Sequence, residues 1–238
     1  MWLAPGVACA DEAGRAPVVI RMTEPAIPGE VLRLERRPTF FDIHGVGSFG
    51  AFFAGAFTAF TAHETGHVVA NLAYGNVPGV RPILYGGFIP FFTVDAHLKR
   101  SPDDRYYKDS GDLFTPGRHG YYVINTMGFQ VQNIGSEILL SVRPDLRHED
   151  SPFWKGYLLM NIGLSLGYGT AALLDIEDKH GDLHGASQRG PFSHSFLAVT
   201  TIAPALLDLG RYLFPENRVL PWLSRGSKTL FLGMDVKW

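Results

Sequence analysis

Residues 46–74 form an apolar run that contains no Lys, Arg or Asp and has Glu64 as its only acidic residue. A helix of this length can cross the ~30 Å hydrocarbon core of a bilayer. Four small residues in the run would let neighbouring helices approach closely: Gly50, Ala54, Gly55 and Ala59. We therefore favour a membrane-spanning helix here; a buried helix of a soluble metalloprotease is the alternative interpretation.

The same run contains the sequence H-E-T-G-H, in which Glu64 follows His63 and His67 lies four residues after His63. Four residues of helix turn the chain by about 400° and rise about 6 Å, so both imidazoles lie on one face and can reach one ion. H-E-x-x-H is typical of zinc hydrolases. There the ion lowers the pKa of water towards ~7, and the glutamate acts as general base and then as acid. We predict His63 and His67 as Zn²⁺ ligands and Glu64 as the catalytic residue. A structural pair of helix histidines is the alternative.

Three more long apolar runs follow, at residues 121–142, 152–174 and 195–214. Residues 80–94 are apolar but interrupted by Gly and Pro, which predicts a hairpin or a re-entrant segment. Alternation of apolar and polar residues predicts short strands within 11–47 and in the C-terminal tail. The predicted fold is mainly α: a polytopic membrane bundle of about four long apolar helices. Short β segments are expected near the N-terminus, after the first helix and at the C-terminus.

This pattern predicts three regions. They are an N-terminal extramembrane segment (1–45), a membrane-embedded metalloprotease-like helical domain (46–214) and a C-terminal tail (215–238). Residues 1–10 are short and apolar and end in A-C-A, so they are interpreted as a signal-peptide remnant or as an ordinary terminus.

Composition limits the partners and the kind of metal site. The single cysteine, Cys9, excludes a disulfide framework and a cysteine-based zinc site. A net charge of −2 gives no reason to expect a nucleic-acid partner. Charged residues make up 18% of the chain, against ~25% in typical soluble domains. The expected partners are membrane lipid and a peptide or membrane-protein substrate.

A zinc hydrolase usually takes three protein ligands and leaves one position for water. Three acids with apolar neighbours are candidates for the third ligand: Glu137, Asp175 and Asp208. Charges inside membrane segments are costly and are therefore candidates for function.

A polar loop offers a second group of possible ligands, His180, His184 and His194. Gly181 and Gly185 argue against a helix in that loop. We interpret these histidines as solvated loop residues rather than as a loop metal site.

The stretch H-E-T-G-H-V-V-A-N-L-A-Y-G, followed by V-R-P-I-L-Y-G-G-F-I-P-F, resembles the site-2 protease family of intramembrane zinc metalloproteases. In that family an H-E-x-G-H helix ends in glycine, and an apolar hairpin with a Gly-Gly pair follows. A later helix supplies an aspartate from a proline-containing L-D-G motif, to which P-A-L-L-D-L-G-R (204–211) is similar. The resemblance implies that His63, His67 and Asp208 bind zinc and that Glu64 is the base. Glu137 and Asp175 remain alternatives to Asp208.

The predicted function is that of a membrane-embedded zinc-dependent endopeptidase, an integral protein of a bacterial-type inner membrane. Residues 82–94 would add an extended substrate peptide to their strand edge. Two alternatives stay open: a membrane-anchored metallopeptidase with Glu137 as third ligand, and a non-catalytic membrane protein with a structural or vestigial metal site.

Overall fold

The computed structural model describes residues 38–74, 77–85, 89–95, 118–177, 181–189, 192–216, 219–225 and 230–236. Within these ranges the fold is mainly helical, as predicted, with five α-helices: α1 (Val46–Ala73), α2 (Arg118–Val142), α3 (Pro152–Leu173), α4 (Asp182–Arg189) and α5 (His194–Leu213). A short 3₁₀ turn spans Leu146–His148. The strands predicted before residue 38 and the possible signal-peptide remnant lie outside the described residues.

Two antiparallel hairpins accompany the helices. The predicted hairpin after the first helix is present as β1 (Gly79–Tyr85) and β2 (Ile89–Asp95), in which Gly79 pairs with Asp95 and Tyr85 with Ile89. At the C-terminus, β3 (Val219–Arg225) pairs with β4 (Leu230–Val236), which agrees with the strand predicted in the tail.

The four long helices alternate in direction. Helices α1 and α3 run parallel, because Asp42, just before α1, pairs with Lys155 near the start of α3, and the His63 ring lies 6.3 Å from that of Tyr168 further along. Helix α2 runs the opposite way, since His67 late in α1 contacts Ile124 early in α2. Helix α5 runs parallel to α2: its Leu197 packs with Tyr122, and its Arg211 bonds Glu137.

Small residues set how closely α1 and α3 approach each other. A methyl group on Gly55 would lie 1.9 Å from the carbonyl oxygen of Phe153, and one on Gly156 would lie 2.0 Å from that of Phe52. Backbone therefore packs on backbone at this crossing, which is the use expected for small residues between helices.

By length and composition, one helix among the described residues, α5, could cross a membrane. Helix α1 includes Gly, Thr and His residues among its apolar ones, and α2 contains several Asn, Gln and Ser residues. The polytopic bundle of four spanning helices therefore stays a prediction.

Helix α4 lies in the loop where we predicted no helix, so that prediction was wrong. Its Leu183 and Ala186 are buried against Tyr122 and Phe129 of α2, and this burial offsets the low helix propensity of glycine. A methyl group on Gly185 would lie 2.8 Å from Asn125 Oδ1. The glycine that weakens the isolated helix therefore allows α4 to dock closely on α2.

Candidate metal centre

Three side chains from two helices bring ligand atoms to one point. His63 Nε2 and His67 Nε2 are 3.1 Å apart, and Asp182 Oδ2 lies 3.2 Å from the first and 3.3 Å from the second. Both histidines are buried, and Asp182 is largely buried. The histidines come from the predicted motif in α1, whereas Asp182 is the first residue of α4.

These distances suit a small tetrahedral ion. Zinc binds histidine nitrogen and carboxylate oxygen at about 2.0–2.2 Å, which places neighbouring ligand atoms roughly 3.3 Å apart. Two imidazole nitrogens and one carboxylate oxygen are also a donor set that zinc hydrolases use. His63, His67 and Asp182 therefore fit a zinc ion and leave a position for water or substrate.

The backbone of α2 orients His67. Its Nδ1 lies 2.7 Å from the carbonyl oxygen of Ile124, to which an Nδ1–H group donates. That bond leaves the lone pair of Nε2 directed at His63 and Asp182, as is usual for metal-binding histidines. Among the described residues, His63 Nδ1 is buried and has no hydrogen-bond partner.

Asp182 is held as an anion by its neighbours. Burial by itself would raise the pKa of the Asp182 carboxyl, but His67 and His63 beside it hold that pKa well below its usual range. The carboxylate is therefore ionised at neutral pH and available to a cation.

Glu64 lies beside this group and is tied to the first hairpin. Its side chain is buried at 6% exposure, and its Oε2 accepts a hydrogen bond of 3.0 Å from the backbone N–H of Val94 in β2. Phe92 of the same strand packs edge-on against Phe60 of α1. The hairpin therefore covers the helix at the motif and fixes the orientation of the Glu64 carboxylate.

Helix α2 passes directly over the two histidines at Gly128. A methyl group on Gly128 would lie 2.6 Å from Nε2 of His63 and 2.6 Å from Nε2 of His67. Any side chain at this position would enter the space that an ion bound by both histidines would occupy.

We expect Gly128→Ala to weaken zinc binding by at least 100-fold while the helix itself remains stable, because alanine favours a helix but its methyl group contacts both ligand nitrogens. Zinc affinity measured by competition with a chromogenic chelator checks this. Gly163→Ala is the matched control, since a methyl group at that helical glycine meets nothing within 4 Å. Equal affinities in the two variants would contradict the placement of the ion beside Gly128.

The structure does not bring Asp208 to the histidines. Its carboxylate lies 3.8 Å from Arg211, which also binds Glu137 of α2. Glu137 is nine residues beyond Gly128, so this cluster lies roughly 14 Å along α2 from the histidine pair. Asp175 is exposed in a turn after α3, at φ 55°. In this arrangement none of the three predicted acids belongs to the group formed by His63 and His67.

The predicted loop histidines lie near α4. His194 pairs with Glu177 at 2.7 Å, and His184 lies on α4 next to Gln188; His180 lies outside the described residues. Asp182 stands between His180 and His184 in the sequence, within the polar loop whose histidines we interpreted as solvated. The signal that could have identified it is an aspartate at the start of a short helix, where acidic residues are favoured.

A second group of possible ligands, Asp42, His44 and Asp150, lies around the start of α1. The carboxylate of Asp42 already pairs with Lys155 and accepts hydrogen bonds from the N–H groups of Thr39 and Ser151. Asp42 therefore belongs to a buried ion pair with Lys155 rather than to a metal centre.

Comparisons with protein-family models, with curated proteins and with solved structures find no match to this chain. The resemblance to site-2 proteases therefore depends on the short motifs alone.

Proposed function

We propose that this chain is a membrane-embedded zinc-dependent endopeptidase in which His63, His67 and Asp182 hold the ion and Glu64 is the general base. The observation that supports this most strongly is the group of three ligand atoms separated by 3.1–3.3 Å next to the glutamate of the H-E-x-x-H motif. Asp182 replaces Asp208 in this proposal.

A zinc ion held there would supply Lewis acidity, which makes water a stronger acid and polarises a carbonyl group. Glu64 would take a proton from the attacking water as the new C–O bond forms. It would then give that proton to the amide nitrogen as the C–N bond breaks. The Val94 N–H group, which donates to Glu64 Oε2, would hold the carboxylate in place during both transfers.

The first hairpin suits an extended substrate. Because the N–H of Val94 points to Glu64 rather than to β1, the outer edge of β2 faces the candidate site. A peptide added to this edge would lie along the side of Glu64 in an extended conformation, which is the form that exposes its amide bonds.

The distribution of apolar and charged side chains supports a membrane location, such as a bacterial-type inner membrane. Large apolar side chains are exposed on α1, α2 and α5: Phe49, Phe53, Phe57, Ile134, Ile138, Val199 and Leu206. Charged side chains on α3 and α5 are buried instead: Lys155, Asp208 and Arg211. Large apolar side chains on the surface and paired charges in the interior are typical of a protein surrounded by lipid rather than by water.

Zinc content tests the metal site of this proposal. We expect about one zinc per chain by elemental analysis of the detergent-purified protein, and almost none in His67→Ala, because that change removes one ligand and its hydrogen bond to Ile124. His148→Ala is the matched control, since His148 is exposed in the turn between α2 and α3. Folded protein that takes up no zinc after reloading would overturn the proposed metal centre.

A further inference from the structure

Glu177 joins the helix that provides Asp182 to the start of α5. Its Oε1 accepts a hydrogen bond of 3.0 Å from the backbone N–H of Leu183, and its Oε2 lies 2.7 Å from His194 Nε2. The side chain is only 4% exposed. A buried carboxylate thus binds the first turn of α4 on one side and the first residue of α5 on the other.

This bridge acts on the residue directly after Asp182. Helix α4 has 8 residues, fewer than an isolated helix needs to be stable in water, so its position depends on contacts with its neighbours. Gly181 leaves room for the bridge, because a methyl group there would lie 2.3 Å from Glu177 Oε1. The bridge therefore fixes the backbone at Leu183, directly after Asp182.

Two further contacts hold α4 at the same place. Gly185 packs against Asn125 of α2, and the rings of His184 and His194 meet edge to face with centroids 5.7 Å apart. Among these contacts, only the Glu177 bridge bonds the backbone next to Asp182. Its loss would let the backbone at Asp182 move while the buried Ala186 keeps the rest of the helix docked.

We propose that Glu177, together with His194, is a positioning residue that holds Asp182 in reach of the ion bound by His63 and His67. This inference rests on the proposed zinc site. Residues that orient metal ligands in this way typically change metal affinity by about 10–100-fold when they are removed.

The test measures zinc dissociation constants by chelator competition in detergent. Glu177→Ala is expected to weaken zinc binding by about 10–100-fold. Glu177→Gln should recover part of that loss, because an amide oxygen can still accept from Leu183 although the charge beside His194 is gone. The control is Glu149→Gln, which likewise removes a carboxylate from an ion pair, here with Arg143 directly after the C-terminal end of α2. This variant should bind zinc like the unaltered chain.

A double variant separates positioning from general damage to the fold. If Glu177 acts through Asp182, then adding Glu177→Ala to Asp182→Ala should weaken binding no further, whereas an independent structural effect would add to it. The visible absorption of bound Co²⁺ should change in the same way in both single variants, because each would lose the carboxylate from the ion.

The outcomes are distinguishable. Suppose that the unaltered chain binds zinc. Equal affinity in Glu177→Ala, or additive losses in the double variant, would then overturn the positioning role and leave the metal site intact. Absence of zinc binding in the unaltered chain and in Glu149→Gln overturns the proposed function, and this inference with it.

Discussion

Asp182→Ala is expected to weaken zinc binding by more than about 100-fold, whereas Asp208→Asn should leave zinc affinity within about threefold of the unaltered chain. Asp182 provides an oxygen 3.2 Å and 3.3 Å from the two histidine nitrogens, while Asp208 lies beside Arg211 and Glu137. Loss of a direct ligand should exceed the ~100-fold that the loss of an orienting residue can cost. Zinc content and chelator competition on the two purified variants measure the difference.

The comparison also separates the alternatives that the sequence left open. Glu137→Gln and Asp175→Ala should both retain zinc, because Glu137 binds Arg211 and Asp175 is exposed after α3. Retention of zinc by Asp182→Ala together with its loss in Asp208→Asn would reverse our assignment and restore the ligand set that the motif resemblance implies.

Glu64→Gln is expected to lower peptide cleavage by about 10²–10⁴-fold while about one zinc per chain stays bound. Glutamine has the size of glutamate and can still accept from the Val94 N–H group, but it cannot take a proton from water. The measurement is the cleavage rate of a labelled apolar peptide in detergent, with zinc content determined on the same preparation.

Glu149→Gln serves again as the matched carboxylate control and should cleave the peptide at the same rate as the unaltered chain. Equal rates in Glu64→Gln and the unaltered chain would exclude Glu64 as the base. A preparation that binds zinc through His63, His67 and Asp182 but cleaves no peptide in any variant would support a non-catalytic membrane protein with a structural metal site.

The sequence predicted the long helices well because each is a continuous apolar run between polar segments. The observed α1, Val46–Ala73, and α3, Pro152–Leu173, agree with the predicted runs to within a residue. The His63–Glu64–His67 arrangement was predictable for the same reason, since spacing within one helix fixes which side chains share a face.

The carboxylate that lies beside the histidines was not predictable because it depends on how separate helices pack. The motif around Asp208 is the better local match, yet its side chain lies in the Arg211–Glu137 cluster. Asp182 sits in a polar, glycine-containing loop, and only the docking of Leu183 and Ala186 on α2 makes that segment a helix. Tertiary contacts here override local propensity.

In the membrane peptidase that we propose, the position of the histidines along α1 would determine where a bond is cut. Helix α1 has 28 residues, so it is about 42 Å long, and Glu64 lies roughly 27 Å from its first residue. If the helix is centred in a ~30 Å hydrocarbon core, Glu64 lies about 6 Å past the mid-plane.

The two leaflets would then differ in their distance from Glu64. Helix α4 and the first hairpin both adjoin the C-terminal half of α1, which contains Glu64, while Asp42 and Lys155 lie at its N-terminal end. Water and substrate would reach Glu64 from the leaflet on the α4 side. Hydrolysis would therefore be one-sided, and a peptide bond at the same depth in the other leaflet would be left uncut.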